Sequence, residues 1–405
     1  MKKLTNLFAL STVCLAGTFA FTSVGYAATK AAASCSYNDV STAVASAATG
    51  DTVTVPAGSC SWSSTLKITK GISVIGAGKA ETIITNNAGT AVSIIKTQND
   101  FVRLSGFRFN NSDKQTPIIS IIGPTFKARI DNITVNKGDA AIGTNWSGSG
   151  ATGPVYGVVD SSEFYNTSRA YFAMDVRSGD REWGKGAWNE YLGNEKALPG
   201  SDNMMIFEDN KFIWDNSLTN KNAQGALYGQ YGGKVTFRYN DFSGFCTYID
   251  GHGDLGAGQD YGTIYYEIYN NTFKQDNTHC SQGNIVWMRG GKLIAHDNTF
   301  TGGSLPFRMS VYYESDIASH RVNNTYYWAN KWNGNSDQAS MVKVTDSGQT
   351  SSGYSANNIK LNQQYFLKEP ESYKPYTYPH PLRSDSGSST KPAVTLLPPV
   401  LHQPQ

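Results

Sequence analysis

Three short stretches place cations, an imidazole and aromatic rings where chemistry on an acidic polymer could occur. Tyr248-Ile249-Asp250-Gly251-His252, Trp287-Met288-Arg289 and Phe307-Arg308-Met309 each alternate between core-forming and polar or aromatic residues. If Ile249, Met288, Phe307 and Met309 point inward on strands, then Tyr248, Asp250, His252, Trp287, Arg289 and Arg308 point out. The same alternation leaves Asp175 and Arg177 outside in Phe172–Arg177, Tyr228 and Gln230 outside in Leu227–Gln230, and Lys343 outside between Val342 and Val344.

Such a set suits a polyanionic carbohydrate, because aromatic faces stack on sugar rings and guanidinium forks grip carboxylates. Cleaving a uronate chain by β-elimination makes three demands: a neutralised carboxylate, a base for the adjacent C5 proton, and an acid for the leaving oxygen. Arg289 and Arg308 fit the first role, His252 or a desolvated Arg289 the second, and Tyr248 or Tyr228 the third, with Asp250 beside them. Asp175, Arg177, Tyr228, Gln230, Trp287 and Lys343 are then the candidate substrate contacts. Asp250, Asp254 and Asp260 sit in a Gly-rich stretch that could offer oxygens to Ca2+, although their spacing is not that of an EF-hand and a plain acidic loop fits as well. Hydrolysis instead needs two opposed carboxyl groups about 5 to 9.5 Å apart. Asp175 and Asp250 are the acidic pair on the stripe, with Glu267 and Glu314 as further candidates. A non-catalytic glycan-binding or adhesion protein could use the same residues.

The elements that must hold these side chains are announced by a repeat. Asn-x-aromatic occurs at Asn210, Asn240, Asn271, Asn298 and Asn324, at spacings of 30, 31, 27 and 26 residues. A period of that size marks one structural unit stacked on copies of itself. Between the repeats lie β-rich runs of about five residues broken by Gly, Asn, Asp and Ser, as in Leu66–Thr69, Ile72–Ile75 and Val102–Phe109. The expectation is an all-β solenoid, a right-handed parallel β-helix of about ten or eleven coils with three strands each. In it the Asn amides bond from coil to coil and the aromatic two residues on stacks in the core. Asp39–Ala48 reads as a short amphipathic helix capping the open end of the stack, with Asp39 as its N-cap. His296 and His320 are expected at turns, solvated or bonded to neighbouring Asn.

Lys2, Lys3, the apolar run Leu7–Phe21 and the small residues at Ala27 and Ala28 read as a signal peptide, taken as residues 1–28. The β-helix domain is then 29–383, and the Pro/Ser-rich 384–405 reads as a disordered tail. A secreted or periplasmic monomer follows. The chain holds 34 basic and 32 acidic residues, and losing Lys2 and Lys3 leaves 32 of each. That balance argues against a nucleic-acid partner. It leaves room for a local basic patch facing an acidic polysaccharide. Four cysteines remain after export, and the oxidising compartment favours Cys35–Cys60 and Cys246–Cys280 disulfides, with a Cys280/His279 metal site as the rival. Gly179–Asn203, rich in Trp and charge, interrupts the period and should lie on one face of the solenoid. Tyr373–Leu382, with three prolines, reads as an extended strap laid on the outside.

Cys35–Gly78, the coils EIYNNTF and LIAHDNTF, and YKPYTYPHPL at 373–382 resemble secreted bacterial parallel β-helix proteins of the pectate-lyase-like superfamily, over roughly residues 35–383. The resemblance implies the fold and, more broadly, polysaccharide lyase, hydrolase or epimerase activity. Gly251-His252-Gly253 is similar to the Gly-His-Gly of polygalacturonase-type hydrolases, whose other signature segments are missing here. Tyr248–His252 is similar to the Trp-Ile-Asp-His of pectate lyases with one Gly added, and the Arg-x-Pro-x-x-Arg of that group is absent.

Overall fold

The computed structural model describes residues 27–111, 116–136, 141–145, 153–166, 174–176, 199–214, 227–229, 231–244, 249–253, 262–275, 284–303, 305–311, 318–346 and 354–384. Among these residues the strands form three sheets of 12, 10 and 10 strands. Every strand-to-strand ladder within them is parallel, and each coil visits the first, second and third sheet in turn. One coil, for example, comprises Lys234–Arg238, Asp241–Gly244 and Ile249–Gly251, and the next Tyr265–Tyr269, Thr272–Gln275 and Asn284–Met288. The chain is a right-handed parallel β-helix. Inward positions of all three sheets fill one continuous core, including Val235, Phe237, Phe242, Ile249, Val286 and Met288.

The corner between the first and second sheets shows why the sequence winds. In each of five coils a residue with left-handed backbone precedes an Asn: Asp209 (φ 55°), Tyr239 (56°), Asn270 (55°), Asp297 (52°) and Ala329 (52°). The Oδ1 of Asn240 accepts from the backbone N and the Nδ2 of Asn210 at 3.0 and 3.1 Å. Asn271, Asn298 and Asn330 repeat the pattern one coil at a time. Each buried amide is thereby satisfied, where an unpaired one would cost about 1–3 kcal/mol. The ladder begins at the backbone N of Ser162 and ends at Gln338, whose Oε1 accepts from both nitrogens of Asn330.

The fifth rung is therefore Asn330, not the expected Asn324. Asn324 is exposed and precedes the first-sheet strand Thr325–Trp328. Asn330-Lys331-Trp332 has the same pattern of residue types, and Trp332 sits in register with Phe300. Behind the rungs the rings of Phe164, Phe212, Phe242, Phe273 and Phe300 stack at 5.2, 4.6, 4.5 and 4.8 Å.

The N-terminal helix runs Tyr37–Ser46, two residues earlier than expected. Its cap is Ser36, whose side chain accepts from Asp39 N, so Asp39 lies in the first turn instead. Val40, Ala43 and Val44 are buried over the first coil, and the Cys35–Cys60 disulfide ties the entry to the solenoid. Cys246 and Cys280 lie outside the described residues. No helix among the described residues is long and apolar enough to cross a membrane.

The C-terminal strap does lie on the outside, across the first sheet. Tyr373 and Leu382 join Val158, Met204, Ile206, Tyr265 and Ile294 in a second apolar cluster. Beneath the strap runs a network of charges. Arg238 donates to Glu208 Oε2 at 2.7 Å and to the carbonyls of Tyr376 and Thr377, and Arg383 reaches Glu208, Asp209 and Asp160. Neither histidine is solvated. His320 is buried, and His296 stacks on Tyr269 (4.7 Å) and Trp328 (4.3 Å), where burial holds its ring below the usual imidazole range. A flat aromatic slot at a strand end accounts for that burial.

Candidate functional site

The third sheet carries the candidate stripe, and its register is fixed by backbone pairing. Asp175 lies opposite Tyr228, Tyr228 opposite Asp250, Asp250 opposite Trp287, Trp287 opposite Arg308, and Arg308 opposite Lys343. Consecutive members are thus about 4.8 Å apart along one row. The inward partners Ile249, Val286, Phe307 and Val342 explain the orientation, because each is anchored in the core or packed against it. Towards the N-terminus the same row continues through Gly143, Ser120, Ser93 and Lys67. Between Lys67 at its start and Asp175 the row holds only the small residues Ser93, Ser120 and Gly143.

Around Trp287 the side chains converge. Arg289 grips the Asp250 carboxylate with both Nε, at 3.0 Å, and Nη2. The guanidinium carbons of Arg289 and Arg308 lie 4.7 and 4.6 Å from the centre of the Trp287 ring. The indole N–H donates to Ser310 Oγ at 2.6 Å, and Arg308 Nε donates to Thr345 Oγ1 at 2.8 Å. Trp287 is only 9% exposed. It carries two cations on its ring, whereas the sequence suggested an open platform for a sugar. A cation held over an aromatic face keeps its charge while losing freedom, which preorganises it for a carboxylate.

His252 is 5% exposed and its Nδ1 lies 2.5 Å from the carbonyl oxygen of Gly253. A carbonyl only accepts, so Nδ1 carries the hydrogen and Nε2 is the nitrogen able to take up a proton. The histidine backbone is pinned on both sides, its N to Gly229 O at 3.0 Å and its O to Thr263 N at 2.8 Å.

Lys343 is exposed at the end of the row. Asp175 and Tyr228 are placed by backbone register alone. Arg177, Gln230 and Tyr248 lie outside the described residues, as do Asp254, Asp260 and Glu314. Glu267, considered above as a partner for the stripe, is on the first sheet beneath the strap, between Thr236 and Ile294. The backbone N of Gly200 donates to it at 2.6 Å and the Tyr373 hydroxyl at 3.3 Å. Burial pushes its carboxyl up to about 7. The parity of the strand alone could not say which sheet it belonged to. Among the described residues no group of three His, Cys, Asp or Glu side chains is arranged to hold a metal ion.

Two residues behind the site escaped the sequence reading. Tyr266 projects inward from the first sheet, crosses the core and donates from its hydroxyl to Asp250 O at 3.0 Å. Thr263 Oγ1 donates to Gly229 O at 2.6 Å. The glycines make room for this crossing: a Cβ on Gly229 would lie 1.7 Å from the Tyr266 hydroxyl, and one on Gly251 2.6 Å from Met288 Sδ. The available signal was two glycines at inward positions that other coils fill with Val or Met.

The class of molecule is thus a parallel β-helix with a register-aligned stripe of charged and aromatic residues on its third sheet. No family model matches the chain, and no curated protein matches it. Among solved structures, an alginate lyase from Paenibacillus sp. str. FPU-7 aligns with a TM-score of 0.37 and 12% identity, over 78% of this chain and 99% of that one. The Agl-KA catalytic domain aligns with a TM-score of 0.37 and 14% identity, over 82% and 64%. A Geobacillus virus E2 protein, ORF18, gives 0.27 and 13%, over 74% and 58%. These likenesses lend no residue and no activity to the chain.

Proposed function

We propose that the protein is an exported enzyme whose third-sheet stripe binds a uronate-containing glycan and cleaves it by β-elimination. The observation that carries the reading is the cluster on consecutive coils: two guanidinium groups on the Trp287 ring, with a histidine of defined tautomer beside them. Arg308 would neutralise the sugar carboxylate and so acidify the C5 proton, while Arg289, already paired with Asp250, would hold that strand and the Trp287 ring in place beside it. His252 Nε2 would take that proton, the bond to the glycosidic oxygen at C4 would break as the C4–C5 double bond forms, and Tyr248 or Tyr228 would return a proton to the departing oxygen. Hydrolysis fits less well, since the Asp250 carboxylate is held in a two-point grip by Arg289 and Glu267 belongs to another sheet. The resemblance of Cys35–Gly78 and of the Asn-x-aromatic coils to the pectate-lyase-like superfamily supports the same class. The Cys35–Cys60 disulfide suits an oxidising, extracytoplasmic setting. The unit of action would be the single β-helix domain at 29–383, working as a monomer without the 384–405 tail.

A second reading is a glycan-binding protein without turnover. It is favoured by the low exposure of the would-be base His252 (5%), while Arg308 is half-buried and Lys343 exposed on the same row. One experiment separates the two. The purified protein is incubated with alginates, pectates and other acidic glycans, and ultraviolet absorbance of the unsaturated uronyl end is followed. A rise with at least one polymer is expected. A flat trace with retained binding would support the binding reading, and new reducing ends without absorbance would support hydrolysis.

A further inference from the structure

The first described residues do more than lead into the helix. Thr29–Ala31 pair in parallel with Thr52–Thr54 as the outermost strand of the first sheet. Just before them, the backbone N of Ala28 donates to Asp51 Oδ1 at 2.8 Å, and the Ala28 carbonyl accepts from Thr52 N at 2.8 Å. Asp51 is only 6% exposed, and its other oxygen accepts from Ala48 N at 2.9 Å. Ala28 itself is exposed. A buried carboxylate is therefore aimed at one particular backbone nitrogen on the surface, at the residue where the export signal gives way to the fold. Gly25 and Ala27 supply the small residues that a signal peptidase requires three and one positions before its cut.

We propose that the chain is cut between Ala27 and Ala28, one residue earlier than the expected boundary, and that the new α-ammonium of Ala28 is received by Asp51. Water adds across the Ala27–Ala28 amide; Ala27 leaves as a carboxylate and the Ala28 nitrogen becomes an ammonium, still within hydrogen-bonding distance of the same oxygen. The uncut chain offers Asp51 a neutral amide, the mature chain a full positive charge. Processing thus installs an ion pair that locks the edge strand, Thr29–Ala31, onto the capped end of the solenoid. A cut after Ala28 would delete both Ala28 bonds and leave Asp51 without that donor.

The other charged groups acting on Asp51 are Lys30 on the same strand and Lys70 from the first coil, whose ammonium also binds the Ala45 and Ala47 carbonyls. Both oppose a second positive charge, and both remain in every variant below. An ammonium that gains a carboxylate partner has its pKa raised, so its contribution is complete below the ordinary value of about 7.7–8.0 and is lost as pH climbs through the raised one.

The experiment has two readouts. The full chain is secreted from a bacterial host, and the exported product is analysed by intact mass and N-terminal sequencing. Ala28-Thr29-Lys30 is the expected start; a start at Thr29 or beyond, or upstream of Ala28, overturns the proposal. The pH dependence of N-terminal acylation is then measured on the folded protein. Its midpoint should lie above the ordinary α-amino range and fall back into it in Asp51→Asn, with acylation at neutral pH severalfold faster in the variant. Should Asp51→Asn fail to fold, a serine inserted between Ala27 and Ala28 moves the ammonium one residue from Asp51 and should produce the same fall. An unshifted midpoint in the parent protein, or one equal in parent and variants, overturns the ion pair.

Discussion

The first and third sheets of this solenoid each present an outward row of charged and aromatic residues, and the two rows have opposite fates. On the first sheet, Asp131, Asp160, Glu208, Arg238, Tyr269, His296 and Trp328 follow one another in register. Their charges close on one another, and from Asp160 to Tyr269 the chain's own C-terminal strap helps to satisfy them: Arg129 with Asp160, Arg238 with Glu208, Arg383 with three carboxylates. On the third sheet, the row from Asp175 to Lys343 ends on an exposed lysine, and its central cations rest on an indole. A parallel β-helix lines up side chains on every face, so alignment alone does not mark a site. Among the described residues, the rows differ in that the first is crossed by the C-terminal strap, while the third runs out to a half-buried Arg308 and an exposed Lys343.

The largest expected effect probes the covered face. Arg238 is fully buried between Glu208, Tyr269 and the strap carbonyls, so Arg238→Ala leaves Glu208 with Arg383 and the His380 N–H as its partners, takes the donor from the Tyr376 and Thr377 carbonyls, and should cost about 3–4 kcal/mol. Chemical denaturation would measure the loss, and limited proteolysis should show the strap released. Activity per folded molecule should stay within about twofold.

Glu267 offers a pH test of the same cover. Its carboxyl is pushed up to about 7 by burial, so between about pH 4.5 and 7 the unfolded chain is ionised while the folded protein still holds the proton, and stability falls as pH rises. Relative to Glu267→Gln, the parent should lose about 3 kcal/mol across that window and then level off. His380 runs the other way, since burial lowers its imidazole to about 4 and stability drops as pH falls below 6.5. Because His380 is common to both proteins, the difference curve removes it; a flat difference would show that Glu267 is not desolvated by the strap.

Asn271→Ala should cost about 2–3 kcal/mol, because it takes the acceptor from both nitrogens of Asn240. Asn324→Ala should change stability by less than about 0.5 kcal/mol. Equal losses in urea denaturation would restore Asn324 to the ladder.

The smallest predicted loss, the Asn324 control aside, lies behind the candidate site. Tyr266→Phe removes the bond to the Asp250 carbonyl, at about 1 kcal/mol, without opening a cavity. If that bond positions the strand, kcat should fall about fivefold with KM nearly unchanged. A change in stability without a change in kcat would make Tyr266 a packing residue only.

Much of this could be read from residue order. Strand alternation placed Asp250, Trp287, Arg308 and Lys343 in one row because their inward neighbours are large and apolar. The strap was legible from Pro375, Pro379 and Pro381 among tyrosines. The first-sheet row was not, because its charges pair between coils and are completed by Tyr376–Arg383, more than a hundred residues downstream of Arg238. Asn330 hid behind Asn324, since both precede an aromatic by two residues and only the corner geometry separates them. Tyr266 was invisible because its role depends on a glycine in the opposite wall. The cap shifted to Ser36 for a similar reason: Ser36 and Asp39 both qualify by type, and the backbone chose between them.

The contrast between the faces can be tested on two partly exposed arginines, Arg308 on the third sheet and Arg103 on the first, where Arg103 pairs with Asp131. The deciding measurement is the initial rate of unsaturated-uronyl formation by Arg308→Ala and Arg103→Ala, each corrected for folded protein, on the polymer that the parent cleaves. Loss of an electrostatic contact to the reacting carboxylate should slow Arg308→Ala by about 100-fold or more, while Arg103→Ala stays within about twofold of the parent. Equal rates for the two variants, or a loss confined to Arg103→Ala, would contradict the assignment of function to the third sheet.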